Sequence, residues 1–309
     1  MKIARLFGLC FTALALALFI IVNIEYFHNL DLLSPVIEID SPEITVSIND
    51  PVTQVMDGVK ATDSKDGDVT DLMVIKGISN FIELDKRTVN YVAFDKDGNY
   101  SEAQRTMVYS DYTKPKFEFT DALKFPIGAT DTDILSKVVV WDCLDGDISN
   151  NITFTNNSMV NSSTPGKYKV DLSITNSAGD TQELPVTVEI FNSLFQNITP
   201  EIRLNKYLVY TGLGEKLNLE DMIKDVLYRG QTYAITEEEG TFGIDTSDFT
   251  KYQWETFRER DASVNIDKIK ITSYINYQVP GVYEVVYELK DLEENLGSVI
   301  LTVVVEDYE

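Results

Sequence analysis

Residues 61–71 read ATDSKDGDVTD, and residues 140–150 repeat the same pattern as VWDCLDGDISN. Both stretches contain Asp-x-x-Asp-Gly-Asp, followed by Val or Ile and then by Thr or Ser. Asp63 begins the first motif, and Asp142 begins the second. The motif is rich in turn-forming residues, and its second occurrence indicates that the chain contains an internal repeat of small modules.

Each repeat ends in a predicted β-hairpin, because a strand-like run, a short polar turn and a second strand-like run follow one another. The hairpins align on Asp95, Asn176 and Asp291, and Pro-Gly-x-Tyr precedes the second and third of them. The first copy departs from this pattern and has LDKR (84–87) in its place. The three hairpin segments are YVAFDKDGNYSEAQRTMVY (91–109), KVDLSITNSAGDTQELPVTVEI (169–190) and EVVYELKDLEENLGSVILTVVVED (284–307).

The third copy has diverged from the other two. The separation of motif and hairpin turn is nearly the same in the first copy, Asp63 to Asp95, and in the second, Asp142 to Asn176. In the third copy, which lacks Asp-Gly-Asp, Asp225 takes the motif position and lies twice as far from Asp291. The surplus predicts an insertion at about 229–262.

The short runs of β-branched and aromatic residues, separated by turn residues, predict an all-β fold of three tandem small β-sandwich domains. One N-terminal transmembrane helix is predicted to precede them. The predicted order is a cytoplasmic tail and transmembrane signal-anchor (1–28), repeat 1 (34–110), repeat 2 (112–191) and repeat 3 (199–309).

The sequence also resembles a known family. GVKATDSKDGDVT (58–70), the Pro-Gly-x-Tyr step and the hairpin turn DKDGN (95–99) resemble group 3 bacterial immunoglobulin-like domains, a module family first described in a pesticidal crystal protein. The resemblance covers almost everything after His28 and is weakest in repeat 3. It implies an Ig-like sandwich, extracellular display and no catalysis, and it names no ligand.

The N-terminal segment carries the localisation prediction. Lys2 and Arg5 precede an uncharged apolar run from Leu6 to Val22. Bulky residues follow the small ones in this run, which favours an uncleaved anchor; a cleavable signal peptide is the alternative. The basic residues before the run predict a single-pass plasma-membrane protein with a cytoplasmic N-terminus and extracellular C-terminal domains.

Composition excludes several functions. The 309 residues include 50 acidic and 26 basic side chains, a net charge of −24, which would repel nucleic acid. The single histidine, His28, and the two cysteines, Cys10 and Cys143, are too few for Ser-His or Cys-His catalysis or for a His/Cys zinc site. A glycosidase with two carboxylates stays open in principle, but no unit is large enough for a deep cleft. We therefore expect no enzyme.

The acidic motif has two interpretations. In an Ig-like sandwich the loop after the second strand and the last hairpin turn lie at one pole, so the carboxylates of one repeat would converge and attract calcium. Alternatively, Asp and Gly only fold these loops, and no cofactor is required. The candidate calcium ligands are Asp63, Asp66, Asp68, Asp95, Asp97, Asp142, Asp145 and Asp147.

The predicted function is that of a bacterial cell-envelope surface protein that acts as a stalk and adhesion or binding module for a protein or glycan partner. The alternative is an accessory or sensory subunit of a membrane complex that recognises an envelope glycan or positions a partner. Candidate partner-binding residues are Tyr252, Trp254 and Phe257 in the insertion, although aromatic residues at this spacing also pack inserted turns onto a core.

Overall fold

The computed structural model describes residues 2–29, 31–155, 159–195, 198–237, 263–291 and 293–307. They fall into two compact units, 1–112 and 113–309. Repeat 1 lies in the first unit, and repeats 2 and 3 lie in the second. Each repeat consists of paired β-sheets with only short helical turns, so the all-β prediction is confirmed. The number of domains and their boundaries remain predictions.

The unit 1–112 begins with helix α1 (Lys2–Asn29) and continues as seven strands. A three-stranded sheet has the order β1-β3-β4, and a four-stranded sheet has the order β2-β7-β6-β5, in which β2 runs parallel to β7. Short 3-10 helices span Val52–Met56 and Thr70–Leu72. The strands are β1 (Val36–Ile39), β2 (Glu43–Val46), β3 (Val59–Asp63), β4 (Gly67–Asp68), β5 (Met73–Ile78), β6 (Lys86–Phe94) and β7 (Tyr100–Tyr109).

No helix in the described ranges is long and apolar enough to cross a membrane. The prediction of a transmembrane signal-anchor and of a single-pass plasma-membrane protein, with a cytoplasmic N-terminus and extracellular C-terminal domains, is therefore wrong.

Repeat 2 has the same pair of sheets, with the orders β11-β10-β8 and β12-β13-β14-β9. One short helix, α2 (Asp131–Leu135), is capped by Thr130 and Asp133, and 3-10 helices span Ser149–Asn151 and Ser193–Phe195. The strands are β8 (Lys116–Phe119), β9 (Lys124–Pro126), β10 (Val138–Asp142), β11 (Gly146–Asp147), β12 (Thr153–Phe154), β13 (Gly166–Thr175) and β14 (Thr181–Phe191).

Repeat 3 has sheets of order β15-β17-β18-β19 and β16-β22-β21-β20. Its 3-10 helices span Glu220–Met222 and Ile266–Lys268. Of the predicted insertion, residues 238–262 lie outside the described ranges. The strands are β15 (Glu201–Leu204), β16 (Leu208–Gly212), β17 (Ile223–Tyr228), β18 (Gln231–Thr236), β19 (Ser263–Asn265), β20 (Lys270–Ser273), β21 (Gly281–Lys290) and β22 (Leu296–Glu306).

Every second side chain is buried along part of the long strand before each hairpin turn, because successive side chains of a strand point to opposite faces; on β6, Val92 is buried as well. One face of each strand therefore lies in the core of its repeat, and the end of each strand leads into the hairpin turn at the pole. The buried triplets are Val89, Tyr91 and Ala93 on β6, Val170, Leu172 and Ile174 on β13, and Val285, Tyr287 and Leu289 on β21.

The Pro-Gly-x-Tyr motif makes the same contact in both repeats that carry it. Tyr168 donates its hydroxyl to the carbonyl of Thr164 (2.8 Å), and Tyr283 donates to the carbonyl of Val279 (2.9 Å). Each tyrosine thus fastens the start of its strand to the preceding loop, as in the tyrosine corner of Ig-like sandwiches.

Candidate metal site and ligand-binding cleft

In repeat 1 the acidic motif folds its own loop. Asp63 ends β3, and its Oδ1 accepts hydrogen bonds from the backbone N–H groups of Lys65 (2.8 Å) and Asp66 (2.9 Å). Gly67 pairs with Asp63 at the return of the chain and has φ of 76°, a conformation that favours glycine. The first Asp and the Gly of the motif are therefore both needed for the turn.

Three other predicted ligands of repeat 1 hold the two turns in place. Asp66 Oδ2 accepts from the backbone N–H of Lys96 (2.9 Å) and so joins the two turns. Asp97 Oδ2 lies 2.6 Å from Lys65 Nζ and joins them a second time. Asp68 Oδ1 accepts from the N–H of Thr70 (3.0 Å), which starts the next helical turn.

Three carboxylates do meet at this pole. Asp31, Asp63 and Asp95 each direct one oxygen into a group whose members all lie within 4.8 Å of one another. Their exposed fractions are only 9%, 6% and 5%. The Oδ2 atoms of Asp31 and Asp63 are buried without a hydrogen-bond partner among the described residues. The structure therefore keeps Asp63 and Asp95 of the predicted set together and adds Asp31.

Hydrogen bonds favour the charged forms of two of these carboxylates. The backbone N–H groups of Asp66 and Lys65 hold the pKa of Asp63 below its ordinary value, although burial opposes them. Burial raises the pKa of Asp95, but the side chain and backbone of Asn99 and the N–H groups of the turn outweigh it, so the pKa is lowered. Both groups therefore carry their negative charge at neutral pH.

The acidic motif of repeat 2 folds the same loop, but its first carboxylate has a different partner at the pole. Asp142 ends β10, and its Oδ1 accepts from the N–H groups of Leu144 and Asp145, both at 2.9 Å. Its Oδ2 accepts from Asn176 Nδ2 (3.1 Å), the residue that occupies the position of Asp95. A neutral amide thus satisfies the carboxylate that in repeat 1 faces other carboxylates.

The remaining predicted ligands of repeat 2 also have local partners. Asp145 accepts from both the N–H and the hydroxyl of Ser177, each at 2.6 Å. Asp147 accepts from the N–H (3.0 Å) and the hydroxyl of Ser149. Asp142, Asp145 and Asp147 do not converge, so the structure does not assemble them into one ligand set.

Repeat 3 reaches the same geometry with other residues. Tyr228 ends β17, and its hydroxyl donates to Asp291 Oδ2 (2.8 Å) at the hairpin turn. Asp225, expected at the motif position, lies inside β17 and pairs with Arg203 (2.5 Å). The expectation failed because β17 continues to a tight two-residue turn, in which Arg229 and Gly230 both have positive φ.

The predicted partner-binding residues Tyr252, Trp254 and Phe257 lie outside the described residues. A different aromatic surface is described within the unit 113–309. A cleft of about 820 Å³ lies between β8 and β10 of repeat 2 and, in repeat 3, β15, β16, the chain that connects them and Lys224 of β17. Trp141 of β10 lines it and is 64% exposed.

The walls of this cleft are fixed to each other. The N–H of Phe117 donates to the Tyr210 hydroxyl (3.0 Å), and Lys116 Nζ lies 2.9 Å from Glu306 Oε2. Lys116 also lies over the Tyr210 ring, 4.7 Å from its centre. Leu208 belongs to the same buried cluster as Phe117, so the two repeats share core contacts at the base of the cleft. The cleft is therefore preformed.

Four basic side chains line the cleft, and two of them are already engaged. Lys116 pairs with Glu306, and Arg203 pairs with Asp225. The other two, Lys206 and Lys224, are exposed and make no ion pair with any residue that the structure describes. Sequence reasoning missed this cleft, since its residues come from two repeats and no motif connects them.

Comparisons with known proteins show distant relatives. No protein-family model matches the chain. The "Uncharacterized 81.3 kDa protein" of Acholeplasma phage L2 is 27% identical over 213 residues, which cover 68% of this chain and 26% of that protein. The pesticidal crystal protein Cry22Aa of Bacillus thuringiensis is 26% identical over 331 aligned positions, which cover 89% of this chain and 45% of that protein. The chain therefore spans about a quarter of one relative and less than half of the other.

Similar solved structures include multidomain proteins. One is the structure of the M60 catalytic domain with the CBM51-1 and CBM51-2 domains of ZmpB from Clostridium perfringens, which is 11% identical in sequence. The alignment covers 90% of this chain and 31% of that chain, with a TM-score of 0.22. Another is the protocadherin gammaB7 EC3-6 cis-dimer, which is 14% identical in sequence. The alignment covers 89% of this chain and 74% of that chain, with a TM-score of 0.19. TM-scores this low do not establish a shared overall fold. The match to Cry22Aa agrees with the resemblance seen in the motifs, and the group 3 assignment itself is not shown.

Proposed function

We propose that this chain is a non-catalytic adhesion or binding protein, built from three tandem group 3 bacterial Ig-like modules, that recognises an acidic glycan. The observation that carries this proposal is the preformed cleft between β8, β10 and β16, which presents an exposed aromatic ring beside two exposed ammonium groups. Its volume of about 820 Å³ lies within the range of small-molecule sites.

Trp141 supplies the apolar platform. Its neighbours Val138 and Val140 are buried, so the alternation of β10 turns Trp141 outward into the cleft. The flat ring matches the C–H face of a pyranose, and its indole N–H can donate to a sugar hydroxyl.

Lys206 and Lys224 supply the charge. The chain as a whole carries −24, so most anions are repelled from its surface. Two exposed lysines that make no ion pair within the described residues add positive charge to the cleft, whose lining also includes Glu118 and Asp121. An ammonium group makes strong charge-assisted hydrogen bonds to carboxylate or phosphate. A glycan that carries uronic acid or phosphate groups fits both features of the cleft.

A glycan array probed with the full chain tests this proposal. We expect binding to acidic glycans and at least a tenfold loss of affinity for Trp141→Ala and for the double variant Lys206→Glu/Lys224→Glu. The matched controls are Tyr274→Ala, an aromatic residue 84% exposed away from the cleft, and Lys167→Glu/Lys169→Glu on β13. Both controls should bind as the wild type does. Binding that is absent from the wild type, or unchanged in the two cleft variants, overturns the proposal.

A further inference from the structure

The pole of repeat 1 differs from the other two poles in one respect. In repeat 2 the amide of Asn176 donates to Asp142, and in repeat 3 the hydroxyl of Tyr228 donates to Asp291. In repeat 1 the two matching positions are Asp63 and Asp95, and neither can donate when ionised. The donor that completes the other two poles is therefore missing from this pair.

A third carboxylate adds to the unbalanced charge. Asp31 comes from the segment before β1, and its main-chain carbonyl accepts from Asn99 Nδ2 (2.9 Å). Its Oδ1 accepts from the N–H of Leu33 (2.9 Å), and its Oδ2 has no partner among the described residues. Burying carboxylates against one another is costly unless a positive charge compensates them.

The nearby lysines form ion pairs with other carboxylates, and the charge of Asp31 also acts on Lys65. Lys65 Nζ lies 2.6 Å from Asp97, and Lys96 Nζ lies 3.5 Å from Asp66. Even with Lys65 close by, three carboxylates and two buried oxygen atoms without a described partner remain at one point of the structure. These oxygens, and not the acidic composition, indicate a bound cation.

We infer that Asp31, Asp63 and Asp95 form a calcium site that ties the segment before β1 to the pole of repeat 1. The donors are all hard oxygens, which suit calcium. Two oxygens on opposite sides of a calcium ion, each about 2.4 Å from it, are at most about 4.8 Å apart. The separation of the three ligand atoms, all within 4.8 Å, meets this limit. Water completes the 6–8 ligands that calcium takes.

The inferred ligand set differs from the one that the sequence suggested. Asp66, Asp68 and Asp97 hold the loops through Lys96, Thr70 and Lys65 and are not ligands. Asp31 replaces them, and it joins a part of the chain outside the β-sandwich to the site. Calcium would therefore order the segment that leads into repeat 1, independently of ligand binding in the unit 113–309.

Calcium titration of the full chain, followed by calorimetry, tests the inference. We expect one calcium ion bound, and the melting transition of the unit 1–112 to rise by about 10–20 °C at a hundredfold excess of calcium over Kd, relative to chelator. Asp95→Asn copies into repeat 1 the residue that repeat 2 has at this position, so it should fold and bind calcium at least tenfold more weakly. Asp31→Asn should weaken binding to the same extent.

The matched control is Asp71→Asn, because Asp71 is an exposed acidic residue of the same repeat that lies outside the cluster. It should bind calcium like the wild type. The inference is overturned if the wild type gives neither binding heat nor a melting shift, which would leave a proton shared between Asp31 and Asp63 as the explanation. It is also overturned if Asp31→Asn and Asp95→Asn keep wild-type affinity.

Discussion

Tyr228, the last residue of β17, donates its hydroxyl to Asp291 Oδ2 across 2.8 Å and joins the two turns at the pole of repeat 3. Asn176 makes the equivalent contact to Asp142 in repeat 2. The same junction is thus made by hydroxyl and carboxylate in one repeat and by amide and carboxylate in another. What the fold requires at this point is a complementary pair, and not a particular residue.

Tyr228→Phe should lower the free energy of unfolding of the unit 113–309 by about 1.5 kcal/mol. The change removes one donor from a buried carboxylate, which keeps the N–H groups of Glu293 and Asn295 and the amide of Asn295. Urea denaturation measures the loss. Tyr274→Phe, at an exposed position, should change nothing and serves as the control. Equal stability of the two variants would show that the hydroxyl of Tyr228 is dispensable.

The same hydrogen bond predicts a dependence on alkaline pH. Burial and the hydrogen bond to Asp291 raise the pKa of Tyr228 to about 12. Because tyrosine ionises near pH 10 in an unfolded chain, its contribution to stability is complete below about pH 10 and is lost as the pH rises toward 12. The stability difference between the wild type and Tyr228→Phe should therefore shrink between pH 9 and pH 11 in urea titrations. Other buried tyrosines affect both proteins alike, and a constant difference would contradict the assignment.

Gly297→Ala should destabilise the unit 113–309 by about 3 kcal/mol or more, since overpacking against backbone cannot relax cheaply. A Cβ at Gly297 would lie 1.8 Å from the carbonyl oxygen of Pro200. Thermal melting of the full chain measures the effect. Gly166→Ala is the control, because its added Cβ would come no closer than 3.6 Å to Tyr168. A loss below about 1 kcal/mol for Gly297→Ala would mean that β22 shifts to accept the methyl group.

The strands and turns of the β-sheets could be predicted from the sequence. On β13 the alternation of Val170, Leu172 and Ile174 with polar residues is visible in the letters, and the same three residues form the buried face. Turn residues such as Gly67 mark the chain reversal directly, since few residues other than Gly accept positive φ. Local patterns of this kind follow from backbone geometry and need no tertiary information.

The candidate sites depended on tertiary structure and were only partly predictable. Asp31 lies outside the repeats, and only the folded segment brings it to Asp63. Trp141 ends a run of valines in which every residue is apolar, so the letters do not show which face is exposed. An acidic residue, Asp225, does stand at the expected spacing in repeat 3. It does not lie at the pole, because β17 continues past it and ends at Tyr228, before a tight turn. The membrane prediction rested on the apolar run at residues 6–22, and no described helix meets the requirement for a span.

Arg105 offers a test of what holds the first sandwich together. Its buried guanidinium donates to the carbonyls of Asp57 (2.5 Å) and Glu43 (3.3 Å) and lies 3.1 Å from Asp40 Oδ1. Arg105→Met should cost about 3 kcal/mol in unit 1–112, because two carbonyls and a carboxylate lose their donor together.

Asp40→Asn should cost less than about 1 kcal/mol, since the Asp40 side chain is 63% exposed and exposed ion pairs contribute little. Urea denaturation of both variants at neutral pH separates the two contributions. If the two losses are equal, the ion pair and not the carbonyl contacts accounts for the role of Arg105. The carbonyl contacts predict instead that Arg105→Met is the more damaging change, and that it stays so at about 1 M salt, where exposed ion pairs are screened.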